Sequence, residues 1–120
     1  MIVGIGTDLI EIDRVVKACE NKLFQTKYYT EQELDLAAMD VQKLADNFAV
    51  KEAISKMLGT GFRGIAPIDI EVLRDSLGKP YVNLYNATLE AAKLLKITKI
   101  FVTISNTKKY SSAFVVGEGE

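Results

Sequence analysis

The sequence contains no histidine and a single cysteine in 120 residues. Without histidine the commonest general base is missing, so any proton transfer must use carboxylates, lysines or water. One cysteine and no histidine also argue against a zinc site. Cys19 has no internal disulfide partner, which makes a reducing cytoplasm the expected compartment. No apolar run approaches the roughly 18 residues of a membrane span, and nothing before Ile2 reads as a signal peptide. Net charge is −1, which speaks against a nucleic-acid binder working by bulk electrostatics.

What is present is the composition of one soluble globular domain over residues 1–120, 48% hydrophobic and 26% charged. A domain of this size gains from oligomerisation. Arg14, Lys17, Lys22 and Lys27 give residues 14–27 a basic bias. That is either a solvated helix face or a docking face for an acidic partner.

Met1–Ile5 is short, apolar and β-branched and predicts a buried strand; Gly4 and Gly6 allow a bend or a close approach before Asp8. Ile12, Val15, Val16 and Cys19 predict a helix over 10–20. Thr30 and Glu33 fit a capping box opening a short helix to about Met39. Asp40 is the expected N-cap of a longer helix through Leu58, with Gly59 as its C′ residue. Strands are expected at Ile68–Arg74, Tyr81–Tyr85, Ile100–Ser105 and Ser111–Gly117, and a helix capped by Asn86 between the two hairpins. The order is one strand, three helices, a hairpin, a helix and a hairpin. That is an α+β domain with a mainly antiparallel sheet.

Three residues carry candidate chemistry. Asp8 alone reads as a turn or capping residue. Glu52 and Lys56 alone read as an ordinary i,i+4 pair. Glu52, however, lies at the edge of an apolar stripe formed with Phe48, Ala49 and Ala53, where solvated pairs are less usual. If folding joins Asp8 to Glu52, two hard carboxylates are available to Mg²⁺, which commonly takes one or two, plus waters and substrate phosphate oxygens. Lys56 could then neutralise charge on a phosphate. Gly59-Thr60-Gly61 could open backbone N–H groups to it, although C-capping explains these glycines equally well. Ser105-Asn106-Thr107 is either plain hairpin chemistry or a polar lip for a nucleotide.

Gly4-Ile5-Gly6-Thr7-Asp8-Leu9-Ile10-Glu11-Ile12 and Phe48-Ala49-Val50-Lys51-Glu52-Ala53-Ile54-Ser55-Lys56 resemble motifs of the holo-acyl-carrier-protein synthases, the small type of 4′-phosphopantetheinyl transferase. Leu58-Gly59-Thr60-Gly61, Ile68–Val72, Gly78-Lys79-Pro80 and Val102–Ser105 follow in family order, so the resemblance spans nearly the whole chain. It implies the 4′-phosphopantetheinyl transferase fold, with a long helix against the sheet, assembled as a homotrimer with sites between subunits. It implies Mg²⁺-dependent transfer of the phosphopantetheine arm of coenzyme A to a serine of apo acyl carrier protein, in fatty acid biosynthesis. Asp8 and Glu52 would hold the metal, with Lys56 on the phosphate. Coenzyme A would lie along Asn47, Ser55, Lys56, Gly59, Pro80, Asn106 and Thr107, and the helix carrying Arg14 and Lys17 would dock the carrier protein. Two positions depart from the family pattern. Asn47 stands where many relatives have Arg, and Asn106 where many have His, both near the nucleotide end of coenzyme A. Lys43, Lys108 and Lys109 are candidates to replace the missing charge. The departures also leave open a non-catalytic carrier-protein or coenzyme A-binding module.

Overall fold

The computed structural model describes all 120 residues. In chain order the elements are β1 (Ile2–Glu11), α1 (Ile12–Ala18), α2 (Lys22–Tyr28), α3 (Glu31–Ala37), α4 (Gln42–Leu58), a 3₁₀ turn (Pro67–Asp69), β2 (Ile70–Arg74), β3 (Pro80–Leu84), α5 (Asn86–Leu94), β4 (Ile97–Asn106) and β5 (Tyr110–Gly119). An antiparallel sheet of order β1-β5-β4 and a separate β2-β3 hairpin make this an α+β fold, as expected. No helix is long and apolar enough to cross a membrane.

α4 is the spine. One core joins its Ala49, Ala53, Ile54 and Met57 to Ile70 and Val72 of β2 and to Ala113 and Val115 of β5. A second joins its Leu44 and Ala45 to Ile12, Val15 and Tyr29. Ala45, Ala49 and Ala53 are all fully buried, and their small side chains let a strand lie close to the helix. β1 uses that space. Successive residues of a strand point to opposite faces, so Gly4, Gly6 and Asp8 share the face turned to α4. A Cβ on Gly6 would stand 1.9 Å from the Ala53 carbonyl oxygen, and one on Gly4 2.7 Å from that of Met57. The glycines are there for this close approach.

A buried polar network fastens α4 to α3 and β2. Lys51, fully buried, donates to Glu33 Oε1 at 2.8 Å, to the Pro67 carbonyl at 2.9 Å and to the Ile70 carbonyl. Glu33 also accepts from Asn47 Nδ2 and Val72 N. Burial pushes the Glu33 carboxyl up and the Lys51 ammonium down, each opposed by its partner.

Several boundaries differ from the sequence expectations. β1 runs to Glu11, so Asp8 lies mid-strand opposite Ala113 and not at a strand end; α1 is correspondingly shorter. α2 was not anticipated. It has no fully buried residue, only Phe24 and Tyr28 packed at the edge of the second core, and the Asn21 side chain caps it by accepting from Leu23 N and Phe24 N. Four helices therefore precede the first hairpin. The Thr30/Glu33 capping box forms with both bonds in place. Asp40 is not the N-cap of α4: that position is Val41, while Asp40 Oδ1 accepts from Gln42 N. Gly59 takes the left-handed conformation at φ 79°, as expected of a C-terminal cap. β2 starts late because Pro67–Asp69 forms a 3₁₀ turn. Asn86 is not a cap: its amide donates to Asp69 Oδ1, and Tyr85 occupies the N-cap position. β4 and β5 extend beyond their expected ends.

Candidate active site

The face of β1 that carries Gly4 and Gly6 delivers Asp8 to the last two turns of α4. There Lys56 Nζ donates to Asp8 Oδ1 at 2.9 Å and to the Thr7 carbonyl at 3.0 Å. Glu52 lies one helical turn back on α4, half-buried. Its carboxyl is held above the usual range by burial first and by the Asp8 charge second, with Lys56 acting in the other direction. The fold thus brings together the three residues singled out in the sequence. Two carboxylates that feel each other's charge in a partly desolvated place are an arrangement that a bound cation relieves. The donor set is two carboxylates, hard oxygen only, and no group of three or more His, Cys, Asp or Glu gathers here or elsewhere in the chain. Mg²⁺ commonly takes one or two carboxylates and completes its shell with waters and phosphate oxygens. Asp8 and Glu52 are therefore the residues that could hold it.

One wall of this site had no counterpart in the sequence reading. Tyr28 of α2 stacks on Phe24 with ring centroids 4.3 Å apart and on Phe48 at 5.5 Å. Burial, and then the Glu52 charge, raise its phenol. The i,i+4 spacing of Phe24 and Tyr28 was the available signal. Phe24 and Phe48 continue into a groove of about 430 Å³, lined also by Leu9, Ile10 and Val15. Arg14 stands in its wall, and Lys17 is exposed one turn further along α1.

The remaining candidates are placed differently. Asn47 is 1% exposed; besides its bond to Glu33, its amide donates to the Val72 carbonyl, and its oxygen accepts from Arg74 Nη2. Ser55 is 2% exposed and donates to the Glu52 carbonyl at 2.7 Å. Neither side chain has a free group to offer a ligand, because both are spent inside the chain. The Gly59 and Gly61 N–H groups donate to the Lys56 and Ser55 carbonyls, so they close the helix and are not left open for a phosphate. Pro80 opens β3 across the ladder from Arg74. Asn106 ends β4 and donates both ways into the Asp46 carboxylate, at 3.0 and 3.1 Å. Thr107, exposed, organises the next turn by accepting from Lys109 N and Tyr110 N. At 1.5 Å rise per residue, Asp46 lies about 15 Å along α4 from Lys56. Glu52 is about 9 Å from Asp46 on the same count, so the Asn106–Thr107 lip sits about two to three turns before the carboxylate–lysine trio on one helix.

Fold and site together define a small α+β protein equipped for phosphate-ester chemistry with oxygen ligands and a lysine. The chain belongs to the 4′-phosphopantetheinyl transferase superfamily, whose family model matches residues 4–115. It is similar to a holo-[acyl-carrier-protein] synthase of Lachnoclostridium phytofermentans, 64% identical over 118 residues, covering 98% of this chain and 97% of the relative. A Clostridium perfringens protein of the same name is 47% identical, with 100% and 96% covered. Among solved structures, the holo-ACP synthase of Plasmodium yoelii superposes with a TM-score of 0.86 at 34% identity, covering 100% of this chain and 97% of that one. The Bacillus anthracis enzyme in complex with CoA (3′,5′-ADP) superposes at 0.81 and 33%, with 100% and 99% covered.

Proposed function

We propose that this protein moves the 4′-phosphopantetheine arm of coenzyme A onto a serine hydroxyl of apo acyl carrier protein, releasing adenosine 3′,5′-bisphosphate. The observation that carries the reading is the convergence of Asp8, Glu52 and Lys56, with similarity to holo-[acyl-carrier-protein] synthases over almost the full chain. Bound Mg²⁺ would draw charge from the diphosphate. Asp8 and Glu52 would hold it, and Glu52, through a bound water, would help take the serine proton. Lys56 is 54% exposed at its side chain and free to swing from Asp8 to the phosphate under attack. Transfer of this kind is mostly positioning and charge neutralisation, and a covalent enzyme intermediate is not required.

The donor's nucleotide end would meet Asn106, Thr107 and the lysines of the next turn. The exposed Arg14 and Lys17 would dock the acidic carrier protein beside the apolar groove. Homotrimeric assembly would bring the separated trio and lip together between subunits. Support lies in the sheet face turned away from α4: Ile5 and Leu9 are 60% and 65% exposed, and Phe101 and Phe114 are 43% and 42% exposed. Exposed apolar side chains gathered on one sheet face are the kind of surface that packs against a partner. A cytoplasmic location fits the substrate and the unpaired Cys19.

The test is mass spectrometry of an apo carrier protein incubated with the protein, coenzyme A and Mg²⁺. A gain equal to the phosphopantetheinyl group is expected, and its loss in Asp8→Ala and Glu52→Ala. Transfer by Glu52→Ala at the wild-type rate would overturn the metal assignment. Coenzyme A binding without any mass gain would support the non-catalytic module instead.

A further inference from the structure

Asp46 is a charged side chain that the reading above does not use. It is 7% exposed on α4, and all the bonds it accepts come from one place. Oδ1 accepts from Ser111 Oγ at 2.7 Å and from Asn106 Nδ2 at 3.0 Å, and Oδ2 accepts from Asn106 Nδ2 at 3.1 Å. Asn106 and Ser111 face each other as the last ladder pair of β4 and β5. One carboxylate thus clips both strands to the helix just where the turn Thr107–Lys109 leaves the sheet. Shallower ties complete the mount: Gln42 Nε2 donates to the Thr107 carbonyl, and Ile12 N to the Lys109 carbonyl. Arg74, half-buried and feeling Asp46 as its strongest acidic neighbour, offsets the carboxylate's charge on the inner side. The outer side of the turn carries the exposed Lys108 and Lys109.

We propose that Asp46 is a positioning residue for the donor: by clipping Asn106 and Ser111 it aims the Thr107–Lys109 turn at the 3′-phosphate of coenzyme A. Asp46 itself touches no substrate. The inference rests on the reading of that turn as the nucleotide lip. It gives the departure at position 106 a physical sense. An asparagine amide can donate inward to Asp46 and leave charge recognition to the lysines beside it.

The experiment compares coenzyme A with 3′-dephospho-coenzyme A, as ligands in calorimetry and as donors in transfer, using wild type, Asp46→Ala, Asp46→Asn and Ser111→Ala. Thermal unfolding checks that each variant is folded. Wild type should bind coenzyme A more tightly than the dephospho form. Asp46→Ala should weaken coenzyme A, in Kd and KM, by about tenfold, the order expected when a hydrogen-bonded carboxylate is removed. kcat should stay within about twofold, and the dephospho form should be much less affected. Asp46→Asn, which keeps an acceptor for Ser111, should fall between. Ser111→Ala should show a smaller effect of the same kind, and it carries the test if Asp46→Ala does not fold. Equal losses for both donors, or an unchanged Kd for coenzyme A, would overturn the proposal. A wild type indifferent to the 3′-phosphate would overturn it too, along with the lip reading. The transferase reading is judged separately, by whether wild type transfers at all.

Discussion

Gly6→Ala puts the relation between fold and site to a direct test. The new Cβ would lie 1.9 Å from the Ala53 carbonyl oxygen and 2.9 Å from both Ala53 C and Met57 N, all backbone atoms of α4. No rotamer change relieves a backbone clash. Real contacts of this kind stop near 3.0 Å, so β1 and α4 must part by roughly 1 Å, an overpacking that typically costs about 1–3 kcal/mol. The functional cost is larger than the stability cost. Asp8 lies two residues beyond Gly6 on the same strand face, and Glu52 and Lys56 lie on the helix being pushed away. A misplacement of about 1 Å between groups that must share one ligand is enough to lose about a hundredfold in rate. We expect kcat/KM for transfer to fall by about that factor in Gly6→Ala while the protein still unfolds cooperatively. Gly4→Ala is the graded control: its Cβ would stand 2.7 Å from the Met57 carbonyl, a conflict a few tenths of an ångström deep. Its loss should stay below about tenfold. Gly6→Ala with wild-type kcat/KM, or Gly4→Ala impaired more than Gly6→Ala, would refute the argument that these glycines set the spacing of the site.

Three further outcomes follow from the same geometry. Lys51→Met leaves the fully buried Glu33 without its cation and two carbonyls without a donor; it should cost about 3–5 kcal/mol in chemical denaturation, and a loss under about 1 kcal/mol would contradict the network. Burial would raise the Glu71 carboxyl, but bonds from Thr30, Asn83 and Tyr85 outweigh it and hold it below the usual range. A depressed native value stabilises the fold above the unfolded-state pKa and ceases to do so as pH falls through the native one. The stability gap between wild type and Glu71→Gln should therefore be full at neutral pH and shrink below about pH 4; a gap unchanged down to about pH 3 would reverse the assignment. Lys56→Ala should cut transfer yet tighten Mg²⁺ binding measured by calorimetry without donor, because the ammonium no longer occupies Asp8. With the ammonium 54% exposed although Asp8 is 15% exposed, the gain is about fivefold, and weaker binding would show that Lys56 assists the metal.

How much of this was legible in the sequence depended on whether the determining contact was local. The capping box could be read because Thr30 and Glu33 bond each other within one turn. That Glu33 also receives Lys51, Asn47 and Val72 could not, since those partners come from α4 and β2. β1 was cut short because Ile5 and Leu9 face away from the core, while Gly4 and Gly6 on the core side carry no side chain. The usual alternation is therefore inverted in appearance. α2 is hard to read because, of its apolar residues, only Phe24 and Tyr28 are partly buried, a stripe of two with no fully buried position. Asn47 looked like a lost charge at a ligand pocket, and in three dimensions it is the bridge between Glu33 and Arg74. Residue type alone could not separate these roles.

The distribution of chemistry along α4 carries the strongest structural argument about assembly. The segment from Glu52 to Lys56 faces Asp8, while Asp46, about 9 Å from Glu52 and about 15 Å from Lys56 by helix rise, faces the lip. A donor with a diphosphate at one end and a 3′-phosphorylated nucleotide at the other has to engage both kinds of surface. Within one chain those surfaces stand on different stretches of the spine. The exposed Ile5, Leu9 and Phe114 lie on the face of β1 and β5 opposite the one that presents Asp8. Packing that face against a second copy would bury apolar surface and could set one chain's lip beside its neighbour's carboxylates. The same strand alternation that turns Asp8 inward turns Ile5 and Leu9 outward. A register slip of one residue in β1 would therefore turn Asp8 outward and drive Ile5 and Leu9 against α4 in the same step.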